Sequence, residues 1–128
     1  MSILRKKRIL IVDDEERFTT SLKSFLERTG IYEVCVNHRG SEALKTARRF
    51  RPDLLLLDVM MPDMDGGDVA AEVLADEDLK DTPIVFLTAA VTRDEIGVRG
   101  TTTGGYPCMA KPVSTEELMD CIRQHTRG

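Results

Sequence analysis

Histidine is nearly absent: the 128 residues contain only His38 and His125. That scarcity argues against a histidine zinc site or a Ser-His-Asp triad. The three cysteines, Cys35, Cys108 and Cys121, form no CxxC pair. An odd, scattered set reads as buried or half-buried thiols, not as a disulfide framework or metal site. No apolar run approaches the roughly 20 residues of a membrane span, and the start from Met1 to Arg8 lacks a signal-peptide apolar stretch. A soluble, cytoplasmic protein without a membrane partner is therefore expected. A basic excess is missing too: 18 Lys and Arg stand against 22 Asp and Glu, a formal charge of −4. Direct nucleic-acid binding, which needs cations to displace counterions from phosphates, is not expected. With 5 Pro and 9 Gly, 41% hydrophobic and 31% charged residues, the composition is that of one globular domain. Any chemistry must rest on carboxylates, lysine and hydroxyls.

What is present alternates between short apolar runs and amphipathic stretches. Ile9–Val12, Leu54–Leu57 and Ile84–Leu87 are apolar at every position, as central strands of a parallel sheet require. Tyr32–Val36 alternates at Glu33, and Tyr106–Ala110 contains Pro107; both features mark edge strands. Between these runs lie predicted helices. One carries Phe18, Leu22, Phe25 and Leu26 on a single face and stops at Gly30; a second spans about 41–50 with Ala43, Leu44, Ala47 and Phe50 inward. A third covers about 68–74. The last opens on the capping box Ser114-Thr115-Glu116-Glu117 and turns Leu118, Cys121 and Ile122 inward. Five strands alternating with helices predict an α/β three-layer sandwich, (βα)5, with the flavodoxin-like strand order 2-1-3-4-5.

In such a sheet ligands bind beyond the carboxyl ends of the strands. Those ends deliver Asp13 and Asp14, then Asp58, Thr88 and Lys111. Three crowded carboxylates repel one another unless a cation neutralises them, and an all-oxygen ligand set selects a hard ion, most naturally Mg²⁺. A carboxylate beside Mg²⁺ and a lysine is a competent nucleophile for phosphoryl transfer, because both cations spread the charge of the transferring group. Thr88 would donate a hydroxyl to the new phosphate. Aspartyl-phosphate formation is the reaction class that results. Taken singly, Asp13-Asp14 reads as a helix cap, Thr88 as a turn hydroxyl, and Met60, Met61 and Met64 as packing side chains. Four strand ends meeting at one edge outweigh those bland readings; for the methionines and the basic stretch Arg5–Arg8 the bland reading stands.

The run Asp58-Val59-Met60-Met61-Pro62-Asp63-Met64-Asp65-Gly66 resembles the phosphoacceptor loop of two-component response-regulator receiver domains. Val12-Asp13-Asp14-Glu15 resembles their acidic pair, Leu87-Thr88-Ala89 their switch hydroxyl, and Lys111-Pro112 their lysine. The resemblance covers nearly the whole chain, in family order. It implies that Asp58 is phosphorylated. It also implies that Asp14, Asp58 and the Met60 carbonyl hold Mg²⁺, that Asp13 acts through metal-bound water, and that Lys111, often on a cis bond to Pro112, contacts the phosphate. Met60 and Ala90 match positions that tune dephosphorylation. The implied partners are a histidine kinase or histidine phosphotransfer protein upstream and an effector protein downstream, with the chain a monomer or weak dimer. Because the protein acts on itself, it is expected to be a switch module, not an enzyme. Residues 1–128 are expected to form one receiver domain with no effector domain.

Two stretches depart from the family pattern. Thr92-Arg93-Asp94-Glu95 opens a helix, but Gly97, Gly100 and Thr101-Thr102-Thr103-Gly104-Gly105 interrupt it, predicting a short or frayed helix and a mobile lead-in to the fifth strand. Three residues before Lys111, where the family commonly carries an aromatic, stands Cys108. Tyr106 is the nearest ring that would replace it as the switch aromatic, although a structural role suits it better. Asp63-Met64-Asp65-Gly66 also echoes the DxDG motif of haloacid-dehalogenase phosphatases, yet lies inside the loop instead of directly after its strand. A flavodoxin-like nucleotide site at Thr101–Gly105 would lack a following helix N-terminus. A degenerate receiver is disfavoured by the intact acidic, hydroxyl and lysine positions.

Overall fold

The computed structural model describes residues 5–88, 102–103 and 106–126. Among these residues the chain forms β1 (Lys7–Val12), α1 (Glu16–Arg28), β2 (Tyr32–Asn37), a 3₁₀ turn (Gly40–Glu42) and α2 (Ala43–Phe50). There follow β3 (Leu54–Asp58), α3 (Gly66–Ala75), β4 (Ile84–Thr88), β5 (Thr102–Thr103), β6 (Tyr106–Ala110) and α4 (Thr115–His125). The five strands expected from the sequence are all parallel, and the sheet order β2-β1-β3-β4-β6-β5 reproduces 2-1-3-4-5 with one addition. Thr102 and Thr103 pair antiparallel with Pro107 and Tyr106. The strand holding Pro107 is therefore not outermost, as the sequence suggested; two β-branched threonines lie along its outer side.

The parallel register makes the apolar runs two-faced. Leu10, Val12, Leu55, Leu57, Ile84, Phe86 and Cys108 pack toward α2 and α3, against Ala43, Ala47, Val69, Ala70 and Val73. Their neighbours Ile9, Ile11, Leu54, Leu56, Val85, Leu87 and Met109 pack toward α1 and α4, against Leu22, Leu26, Leu118 and Ile122. Because successive side chains in a strand point to opposite faces, a run buried on both sides must be apolar throughout.

Helix ends follow local chemistry. Gly30 sits at φ 80° just after α1, where a left-handed residue ends the helix without a Cβ clash. Arg51 takes the same role after α2 at φ 54°. Ser114 accepts from the Glu117 amide while Glu117 reaches back, as the capping box predicts. Helix α3 starts two residues earlier than expected, because Asp65 caps it by accepting from the Asp68 amide at 2.9 Å. The second helix is likewise split: 40–42 is 3₁₀ and only 43–50 is α-helical. Thr92–Glu95, Ala90 and most of Gly97–Gly105 lie outside the described residues. Among the described residues no helix is long and apolar enough to cross a membrane, and no disulfide joins the three cysteines.

Candidate functional site

Parallel pairing carries each strand's last residue to the same sheet edge. Asp58 ends β3 opposite Leu87, Thr88 ends β4 opposite Ala110, and the Lys111 amide donates to the Thr88 carbonyl at 2.9 Å. The Asp13 amide, just past β1, donates to the Asn37 carbonyl at 3.0 Å. Asp13, Asp58 and Thr88 are buried, whereas Asp14 is exposed. One oxygen from each of Asp13, Asp14 and Asp58 lies within 4.8 Å of the other two. With Glu15, Val59, Met60, Thr88 and Lys111, Asp14 and Asp58 line a cleft of about 320 Å³.

Lys111 is the cation of the cluster. Its Nζ lies 2.7 Å from Asp13 Oδ2, 2.6 Å from Glu15 Oε1 and 3.8 Å from Asp58 Oδ2. It also stands 4.8 Å above the Phe18 ring. The Lys111-Pro112 bond is cis. Asp13 Oδ1 accepts from the Glu15 amide at 2.9 Å. Asp13 Oδ2 is the oxygen that pairs with the Lys111 ammonium. Asp58 Oδ1 accepts a long contact from the Met60 amide, at 3.4 Å.

These surroundings raise both buried carboxyls. Burial, and then the negative charge of Asp13, pushes Asp58 up to about 7. Burial also raises Asp13, against the opposing Lys111 ammonium. Burial opposes the charge on Lys111, but its bonds to Asp13 and Glu15 prevail and raise it. A site of three clustered carboxylates whose buried acids resist ionising without further positive charge suits a hard divalent cation. The residues present fit one.

A model of the response regulator receiver domain family matches residues 9–123. The chain belongs to the response-regulator receiver family. It is 41% identical over 118 residues to the transcriptional regulatory protein TrcR of Mycobacterium tuberculosis, covering 91% of this chain and 44% of that protein. The chain thus spans about half the length of the curated relatives it matches. A putative response regulator from Chloroflexus aurantiacus superposes with a TM-score of 0.81 at 30% identity, covering 95% of this chain and 98% of that one. The receiver domain of the sensor histidine kinase PA1611 from Pseudomonas aeruginosa, whose active-site cleft coordinates a magnesium ion, gives 0.80 at 28% identity over 94% of this chain and 98% of that one.

Within this receiver, Asp13, Asp14, Asp58, Thr88 and Lys111 converge as the strand ends predicted. Glu15, next in the chain after the acidic pair, turns its side chain to Lys111, 2.6 Å from its Nζ. Met60 lines the cleft and is 68% exposed, so the packing role fits Met61, which is buried, and not Met60. Tyr106 is half-buried, edge-on to Phe86 with ring centroids 5.5 Å apart. It lines a separate apolar groove with Met60, Leu74 and Phe86, and is not among the residues of the acidic cleft. The DxDG echo resolves into two caps: Asp65 caps α3, and Asp63 accepts from the Gly40 and Ser41 amides. The lysine's contacts to Glu15 and Phe18 left no mark in the sequence, since they join residues more than ninety positions apart.

Proposed function

We propose that this receiver is a phosphorylation-driven switch that takes a phosphoryl group from a phosphohistidine on a histidine kinase or histidine phosphotransfer protein. The observation that carries the reading is the meeting of three carboxylates within 4.8 Å of one another, with the Lys111 ammonium 3.8 Å from Asp58. Asp13, Asp14, Asp58 and the Met60 carbonyl would hold Mg²⁺, which when bound supplies positive charge for the equatorial oxygens of the transferring group.

The chain's own residues do the rest. An Asp58 carboxylate oxygen attacks phosphorus in line, the new O–P bond forms as the P–N bond breaks, and the imidazole leaves with the electron pair. Lys111, held charged by Asp13 and Glu15, has only to turn from them toward Asp58 to pair with the phosphoryl oxygens. Thr88, at the neighbouring strand end, donates its hydroxyl to the phosphoryl group. Met60, exposed over the cleft, and Ala90 are the positions that would set how fast water reaches the acyl phosphate. The module acts on itself, so it is a switch and not a turnover enzyme, and its change of state is read by a downstream protein.

The test is labelling with acetyl phosphate and Mg²⁺, followed by intact-mass measurement. One phosphoryl group is expected on the wild-type chain, none without Mg²⁺ and none on Asp58→Asn. Full labelling of Asp58→Asn overturns the assignment.

A further inference from the structure

The loop from Asp58 to α3 carries the Met60 carbonyl, and several contacts hold its path. The Val59 amide donates to the Leu87 carbonyl at 3.1 Å, and the Gly66 amide donates to the Val59 carbonyl at 2.8 Å. Met61 is buried, and Asp65 caps α3. The outer side of the loop has a different anchor. The Asp63 carboxylate reaches across to the segment between β2 and α2, where Oδ1 accepts from the Gly40 amide at 3.2 Å and Oδ2 from the Ser41 amide at 3.0 Å. The two segments touch closely there. A Cβ on Gly40 would lie 2.9 Å from the Met64 carbonyl oxygen and 3.1 Å from the Met61 methyl. The Ser41 bonds also hold the Asp63 carboxyl below its ordinary value, so the latch keeps its charge at neutral pH.

We propose that Asp63 is a positioning residue for the metal site: by fastening the loop to Gly40 and Ser41, it fixes where the Met60 carbonyl lies and thereby sets Mg²⁺ affinity and the rate at which Asp58 is phosphorylated. The proposal rests on the Mg²⁺-dependent reading of the preceding subsection. The bond spans 22 and 23 residues and joins two loops at the carboxyl edge of the sheet. Neither loop has a regular ladder at this point, so the carboxylate with its two amide donors, together with the packing of Met61 and Met64 on Gly40, sets their separation. Groups that orient a ligand without touching the metal commonly change affinity by about 10- to 100-fold.

The experiment measures Mg²⁺ binding by calorimetry, acetyl-phosphate labelling rate and urea stability on four variants. Asp63→Ala is expected to weaken Mg²⁺ about tenfold and to slow labelling at subsaturating Mg²⁺. Asp63→Asn keeps one acceptor oxygen but faces the second backbone amide with its own NH2, so it should fall between wild type and Asp63→Ala. Gly40→Ala pushes the same loop away from the other side and should weaken Mg²⁺ as Asp63→Ala does. Asp76→Ala is the stability control. That residue bonds Arg48 at 2.7 Å and the Asp78 amide at 2.9 Å at the far end of α3, so its loss should lower stability and leave Mg²⁺ affinity unchanged. If Asp63→Ala loses stability as Asp76→Ala does but binds Mg²⁺ like wild type, Asp63 is merely structural and the proposal fails. A wild-type chain that neither binds Mg²⁺ nor becomes labelled would instead overturn the underlying reading.

Discussion

Replacing Asp58 with Asn keeps the shape of the nucleophile and removes one of three crowded charges. Burial, with Asp13 adding to it, raises the Asp58 carboxyl from 3.8 to about 7. In the unfolded chain it ionises near pH 3.9, so between those values only the folded protein holds the proton. The sign follows. Stability that is fully present below about pH 4 is lost as pH rises through about 7. At about 1.36 kcal/mol per pKa unit, the ceiling on that loss is about 4 kcal/mol. The carboxylate lines an open cleft where solvent screens its charge, so half of that, about 2 kcal/mol, is the expected penalty at pH 8. Asn carries no charge at any pH and escapes it. Urea unfolding followed by circular dichroism in metal-free buffer should show Asp58→Asn more stable than wild type, with the gap widening by about 1 kcal/mol from pH 5 to pH 8. Added Mg²⁺ should close the gap, since the wild type binds it more tightly. A gap that does not change with pH would refute the electrostatic reasoning, and equal stabilisation of both proteins by Mg²⁺ would refute Asp58 as a ligand.

Three further outcomes are expected. Lys111→Ala leaves the fully buried Asp13 without its counterion, which should cost about 2 kcal/mol in metal-free urea unfolding and be partly recovered by Mg²⁺; unchanged stability would remove the lysine from the network. Gly66→Ala would place a methyl 2.5 Å from the Asp58 carbonyl oxygen, where the backbone must move. About 2 kcal/mol of stability and most of the acetyl-phosphate labelling should be lost, whereas wild-type labelling would show that the loop relaxes without moving Asp58. Ser114→Ala breaks the capping box of α4 and should cost about 1 kcal/mol with labelling intact; impaired labelling would mean that the start of α4 also holds Lys111 in place.

What was legible in the sequence and what was not divide along one physical line. Asp13, Asp14, Asp58, Thr88 and Lys111 were readable because apolar runs mark strand ends, and a parallel sheet carries every strand end to the same edge. That inference needs only periodicity and topology, and it survives ignorance of any side-chain contact. The role of Glu15 could not be read because nothing local says that a lysine 96 positions away will claim its carboxylate. Asp63 was noticed for a motif it does not serve, because its partners Gly40 and Ser41 belong to a loop whose position is set by packing. The short strand Thr102–Thr103 was hidden in a stretch that composition describes only as glycine-rich and β-branched. Pattern therefore locates the groups that do chemistry, and tertiary contact decides how they are held. For this receiver the second layer is testable in its own right: the Asp63 latch, the close approach at Gly66 and the Glu15–Lys111 pair are places where altering a residue outside the acidic cluster should change how the Asp58 cleft works.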